Sequence, residues 1–285
     1  MKKILIYFEL LKLRILINAL ITFTIGFILA SNNSFSFNQL IILLLAMFLV
    51  FGGSASLNHV TDRKVDKIMD RTKNRPIPSG AISVKAATIL SGLLLLAGFM
   101  ILFFVVNTLT LILAILLVFM YNIVYGYLKH VSWLNTFVGA IPGALPPLCG
   151  WTVITGNINL HAICLFLIFY FWQLPHFFSI DWIYRDSYQS AGIRMLSGID
   201  KAGVKTANLT FITSIILAIA TIFPYIIGQL GLIYMILAVF LNIYFISQCW
   251  FFLKGVTNNN AKKVMYASII YQLILVLGMY LDILV

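Results

Sequence analysis

Residues 86–127 read A-A-T-I-L-S-G-L-L-L-L-A-G-F-M-I-L-F-F-V-V-N-T-L-T-L-I-L-A-I-L-L-V-F-M-Y-N-I-V-Y-G-Y. A hydrocarbon core of ~30 Å is crossed by about 20 apolar residues in helical form. The stretch therefore holds two crossings, 86–106 and 109–127, with only Asn107 and Thr108 between them. The apolar runs are continuous, whereas a membrane β-barrel needs short alternating segments, so the spans are read as helices. Outward from this pair, similar runs occupy 14–31, 39–56, 134–151, 160–177, 207–226, 230–251 and 265–283. The expected fold is all-α and polytopic, with about nine transmembrane helices. Composition agrees: of 285 residues 62% are hydrophobic and 9% charged, against roughly 25% charged in soluble domains. Lipid must be the solvent for most of this chain.

Charge tests the span count. With the N-terminus inside, all 19 Lys and Arg residues fall on inside segments. The outside segments, 32–38, 107–108, 152–159, 227–229 and 284–285, hold none. Positive charge marks the cytoplasmic side, so the net charge of +11 is read as topology and gives no reason to expect nucleic acid as a partner. Lys12 and Arg14 interrupt the first apolar stretch and no small-residue cleavage site follows, so no cleaved signal is expected. Residues 1–13 are read as an interfacial helix in a single domain, 1–285. Cys149, Cys164 and Cys249 form no CxxC and are read as buried packing residues.

Only eight acids are present, and five fall in two clusters that follow even-numbered spans. The first cluster, residues 54–80, reads S-A-S-L-N-H-V-T-D-R-K-V-D-K-I-M-D-R-T-K-N-R-P-I-P-S-G. Asn58, Asp62 and Asp66 are spaced by four, so they share one helix face, and Asp70 drifts off it. Like charges at i,i+4 repel. A chain so poor in acid that stacks two on one face is expected to hold a cation there. Oxygen-only ligands suit Mg²⁺, which takes one or two carboxylates plus phosphate oxygens and water. Arg71, Lys73 and Arg75 follow, and such groups suit diphosphate oxygens, although topology alone would also place bases in this loop. The second cluster, residues 171–196, reads F-W-Q-L-P-H-F-F-S-I-D-W-I-Y-R-D-S-Y-Q-S-A-G-I-R-M-L. Tyr184 and Tyr188 share a face, with Arg185 and Asp186 beside them. Asp181 and Asp186 do not share one.

The Asn-x3-Asp-x3-Asp ladder with Arg71-Thr72 and Asn74-Arg75-Pro76 resembles the UbiA-type intramembrane prenyltransferases. Further segments are similar to the branch of that superfamily that farnesylates haem: Trp172-Gln173-Leu174-Pro175-His176-Phe177; Tyr184-Arg185-Asp186 with Tyr188, Ala191-Gly192-Ile193 and Met195-Leu196; and Gly139-Ala140, Gly143-Ala144, Pro146-Pro147 and Gly150-Trp151. In that family two adjacent acids usually precede the tyrosine at 188, where this chain has Asp186 and Ser187. Proline is common where Arg194 stands, and a neutral residue is expected where Asp181 stands. The resemblance implies nine helices around a central cavity with a cytoplasmic diphosphate mouth, in the inner membrane of a bacterium. It implies Mg²⁺ on Asp62 and Asp66 and catalytic roles for Asn58, Asp62, Asp66, Tyr184 and Asp186. Arg71, Lys73, Arg75 and Arg185 would hold diphosphate. The substrates would be farnesyl diphosphate and haem B, and the haem O formed would pass to a downstream haem-modifying enzyme.

His176, His59 and Trp172 are the candidates for the haem side. His176 precedes the second polar cluster by about two turns and so sits deeper in the bilayer; it could ligate iron, move a proton, or only satisfy a helix end. Tyr121, Tyr125, Tyr170 and Trp172 could stabilise carbocations or anchor helices at the lipid interface. A prenyltransferase for a quinone or chlorophyll precursor would share the ladder and bases. A secondary transporter would place its polar groups nearer the midplane.

Overall fold

A computed structural model describes residues 2–31 and 34–284. Met1 of the expected N-terminal helix, and residues 32, 33 and 285 of two outside segments, lie outside the described residues. Among the described residues nine helices are long and apolar enough to cross a membrane. A short helix α1 (Lys2–Leu10) leads through a turn to α2 (Leu13–Ser31), followed by α3 (Phe37–Ile68) and α4 (Val84–Val105). Next, α5 (Thr108–Phe119) continues through a π-helical turn, Met120–Val124, into α6 (Tyr125–Leu128) as one span. The remaining spans are α7 (Asn135–Thr155), α8 (Leu160–Ile183), α11 (Val204–Ile226), α12 (Leu232–Lys254) and α13 (Asn258–Ile283); short helices α9 (Arg185–Ser190) and α10 (Leu196–Ile199) lie between α8 and α11. The chain is a multi-pass membrane protein.

Each span packs on the next in sequence, and α13 returns to α2, which closes a ring. Contacts of α2 with α7 and of α8 with α13 cross inside it. Lipid offers no hydrophobic drive for helix association, so close approach through small residues takes over. At Gly150 a Cβ would lie 2.0 Å from the Phe23 carbonyl oxygen of α2. At Gly143 it would lie 1.9 Å from Gln173 Oε1 of α8, and Gln173 Nε2 donates to the Ala140 carbonyl at 3.3 Å. The Gly-Ala-Pro-Pro segment and the Trp-Gln-Leu-Pro-His-Phe segment thus meet face to face. Gly150→Ala is expected to cost about 1–3 kcal/mol, the usual range for overpacking, read as a lower unfolding midpoint in detergent; an unchanged midpoint would contradict this contact.

Helix length positions the site. At 1.5 Å per residue α3, with 32 residues, is about 48 Å long, well beyond the hydrocarbon core. Its last turns therefore emerge at the end where the charged loops gather. Lys12 meets Asn58, Lys129 meets Asp62, and Arg194 N–H donates to the Lys129 carbonyl at 2.8 Å. The opposite end carries the short turn at 156–159. If the charged end faces the cytoplasm, a cysteine replacing the exposed Asn157 should react with an impermeant reagent in intact cells. Reaction only after permeabilisation would reverse the orientation.

Candidate active site

Near the charged end α3 passes polar side chains into the ring. Asn58 and Asp66 are buried, and Asp62 is partly so. Each rung of the ladder meets a base. Lys12 Nζ donates to Asn58 Oδ1. Lys129 pairs with Asp62. Arg75 Nη1 pairs with Asp66 Oδ1 at 2.7 Å. The Thr72 hydroxyl donates to the Asp66 main-chain carbonyl at 3.0 Å, which folds the 69–75 loop back so that Arg75 reaches the ladder. Asp70 leaves this face and pairs at the surface with Lys73 at 2.7 Å; the Lys73 ammonium holds its carboxyl below the usual range.

Two elements far away in sequence complete the mouth. The turn before α2 puts Lys12 at φ +51°, a left-handed conformation that non-glycine residues seldom adopt and that costs on the order of 1–3 kcal/mol. Its ammonium enters the ring, 3.3 Å from the Tyr121 hydroxyl. Burial, with Arg75 adding repulsion, pushes Lys12 down to about 8, against an opposing pull from Asp62 and Asp66. The π-helical turn carries Tyr121 and Asn122. Such turns concentrate at functional sites. Here Asn122 Nδ2 donates to Ser54 Oγ at 2.8 Å, and Tyr121 and Tyr125 stack with ring centres 6.1 Å apart.

The second cluster meets the first through Arg71. Its guanidinium lies 4.9 Å from the centre of the Tyr184 ring and within 3.5 Å of the Tyr188 hydroxyl. Burial raises the Tyr188 phenol above its ordinary value. Met69 packs with Ala191, Ile193 and Met195, so the two loops cover one another. Arg185 turns away from the ladder: it bonds the Trp182 carbonyl at 2.8 Å and Asn258 Oδ1 at 2.7 Å. Asp186 is exposed. Lys73, Arg185 and Asp186 are therefore not brought to the ladder, while Arg71, Arg75, Tyr184 and Tyr188 stand at its mouth. His59 is buried beside Asp66, 4.0 Å away. His176 and Trp172 face α13.

Residues 19–272 match the UbiA prenyltransferase family. The chain belongs to that family. A protoheme IX farnesyltransferase of Cytophaga hutchinsonii is 33% identical over 97% of this chain and 96% of its own length. Among solved structures, a digeranylgeranylglyceryl phosphate synthase superposes with a TM-score of 0.83 over 99% of each chain at 24% identity. A UbiA homologue from Archaeoglobus fulgidus bound to GPP and Mg²⁺ gives 0.68 over 98% of this chain and 100% of its own, at 15% identity. This chain is thus a multi-pass UbiA-type prenyltransferase.

The ladder fits a hard divalent cation. Asp66 Oδ2 is buried with no hydrogen-bond partner, an acceptor that protein interiors seldom leave unmatched. Among the described residues no group of three His, Cys, Asp or Glu side chains forms a closed metal cage. Two carboxylates that leave the other positions to phosphate oxygens and water suit Mg²⁺. Lys12, Lys129 and Asn122 have no place in the sequence-based site, and Tyr121, a carbocation candidate there, also stands beside Lys12 at the ladder. Lys12 interrupts an apolar run and Lys129 is the lone base of its loop, signals that the topology argument had absorbed. Three other acids are structural: Asp181 accepts from Ser197 N–H at 3.0 Å, Asp200 from Thr206 N–H at 2.8 Å, and Asp282 from Tyr234 N–H at 3.1 Å. Arg194 uses a main-chain N–H that proline lacks.

Proposed function

We propose that the protein transfers the farnesyl group of farnesyl diphosphate to a vinyl group of haem B, with addition of water, and yields haem O and diphosphate. The observation that carries this reading is the near-full-length likeness to a protoheme IX farnesyltransferase, on a chain whose carboxylate ladder opens at the charged end. Asp62, Asp66 and the Asn58 amide oxygen would hold Mg²⁺, which neutralises charge on the departing diphosphate. Lys129 and Arg75 neutralise the ladder carboxylates in the unliganded site. With a cation on the carboxylates, Lys129 and Arg75 would be free to hold diphosphate oxygens, together with Lys12 and Arg71. These groups stabilise charge that grows as the allylic C–O bond breaks and its electron pair leaves with diphosphate. The vinyl π pair then bonds to the allylic carbon. The cation left beside the porphyrin takes up water and releases a proton. Arg71 bridges both loops, so a filled mouth keeps them together and excludes stray water from the cations.

The charged end is assigned to the cytoplasmic face of a bacterial inner membrane. Membranes holding the enzyme, given labelled farnesyl diphosphate with haem B or with 4-hydroxybenzoate, should label haem alone. Label on the benzoate would transfer the protein to quinone-precursor chemistry.

A further inference from the structure

Away from the ladder, α8 and α13 build a second polar contact. His176 stacks on Trp172 with ring centres 5.6 Å apart and planes 15° from parallel. His176 Nδ1 lies 2.7 Å from Ser268 Oγ of α13. That oxygen also lies 2.6 Å from the Met265 carbonyl on its own helix. A serine hydroxyl has one proton. If the proton pointed to His176, two oxygens would face each other at 2.6 Å with none between them. If it points to Met265, a common back-bond for helical serine, the Ser268 oxygen is free to accept and Nδ1 must donate. Only this arrangement makes both contacts hydrogen bonds. The neutral ring of His176 then carries its proton on Nδ1, and Nε2 holds the lone pair. His176 is only partly buried, and the side-chain bond it makes uses Nδ1.

We infer that Ser268 is a positioning residue for the acceptor substrate: it holds His176 in the Nδ1–H form and turns the Nε2 lone pair toward the haem iron. The inference rests on the haem reading above. The ring is constrained twice, by the Trp172 stack and by the Ser268 bond, and a proton held on one nitrogen by an oxygen acceptor is the usual way an imidazole is oriented toward a metal. Iron here belongs to the substrate, so a single oriented ligand can set the porphyrin's depth and still allow product to leave. The docking of α8 on α13 has its own bond: Trp172 Nε1–H donates to the main-chain carbonyl of Ser268 at 2.7 Å. Removing the serine hydroxyl leaves that bond in place.

The full-length protein in detergent is titrated with haem B, and the Soret band, affinity and unfolding midpoint are recorded. His176→Ala should move the Soret band. Ser268→Ala should move it in the same direction and weaken haem binding by about tenfold, the lower end of what loss of such an orienting partner costs. Ser268→Thr, which keeps a hydroxyl able to back-bond, should restore the parent spectrum, and all three variants should bind Mg²⁺–farnesyl diphosphate as the parent does. A Ser268→Ala spectrum and affinity equal to the parent's would overturn the role of Ser268. So would a loss that threonine does not restore and that follows a lowered midpoint, which would make Ser268 a packing residue. If His176→Ala keeps the parent spectrum, iron ligation by His176 is wrong, yet haem labelling in membranes would still support the proposed reaction.

Discussion

Asp62→Ala and Asp66→Ala are each expected to lower turnover by about 10²–10³, the scale of losing one preorganised transition-state contact, or about 2.7–4 kcal/mol. The two carboxylates lie on one helix face, and in the proposed reaction they would together hold the cation that carries the leaving group. Either loss leaves a single carboxylate, and extra Mg²⁺ cannot rebuild the missing oxygen. Asp70→Ala is the internal control. Its carboxylate is exposed and pairs with Lys73 at the surface, where ion pairs are heavily screened, so turnover should stay close to the parent's. Initial rates across a Mg²⁺ titration, on protein whose unfolding midpoint has been checked, decide the matter. Near-normal turnover of Asp62→Ala at saturating Mg²⁺ would remove the ladder from the reaction.

The ladder was legible because a helix repeats and a period of four can be read directly. The spans were legible because lipid demands long apolar runs, and the lengths in α4 and α5–α6 follow from residues 86–127 alone. What stayed hidden depends on direction. Charge reports the side of the membrane a lysine occupies and is silent on whether its side chain turns outward or into the ring. Lys12 and Lys129 turn inward, Lys12 through a left-handed turn whose strain has no sequence signature. Arg71 and Arg185 each lie near a tyrosine of the second cluster, but α8 ends at Tyr184 (φ −108°, ψ 19°). That break sends Arg185 to Asn258 and leaves Tyr184 to Arg71. The π-helical turn that delivers Tyr121 and Asn122 is equally silent, since its residues are ordinary ones and Ser54 on α3 is among the contacts that hold it. The capping roles of Asp181, Asp200 and Asp282 needed the helix ends to be known first.

Arg75→Ala is expected to destabilise the unliganded protein by about 3 kcal/mol, the lower end of the about 3–5 kcal/mol lost when one partner of a buried ion pair is removed. The lower end applies because Arg75 retains 24% exposure while Asp66 has 5%, so water can partly replace the guanidinium but barely reaches the carboxylate. The cost arises mainly from the charge left behind: Asp66 Oδ2 already lacks a hydrogen-bond partner, and without Arg75 its Oδ1 would lack one too. The double variant Asp66→Asn, Arg75→Ala separates the two parts, because a neutral amide needs no counter-charge. It should be more stable than Arg75→Ala alone, with a coupling of the size found between residues in direct contact, about 0.5–3 kcal/mol. Unfolding midpoints of the parent, both single variants and the double variant in Mg²⁺-free detergent give that coupling. Strictly additive losses would mean that Arg75 stabilises the loop by packing and is not the counter-charge that the ladder keeps until diphosphate arrives.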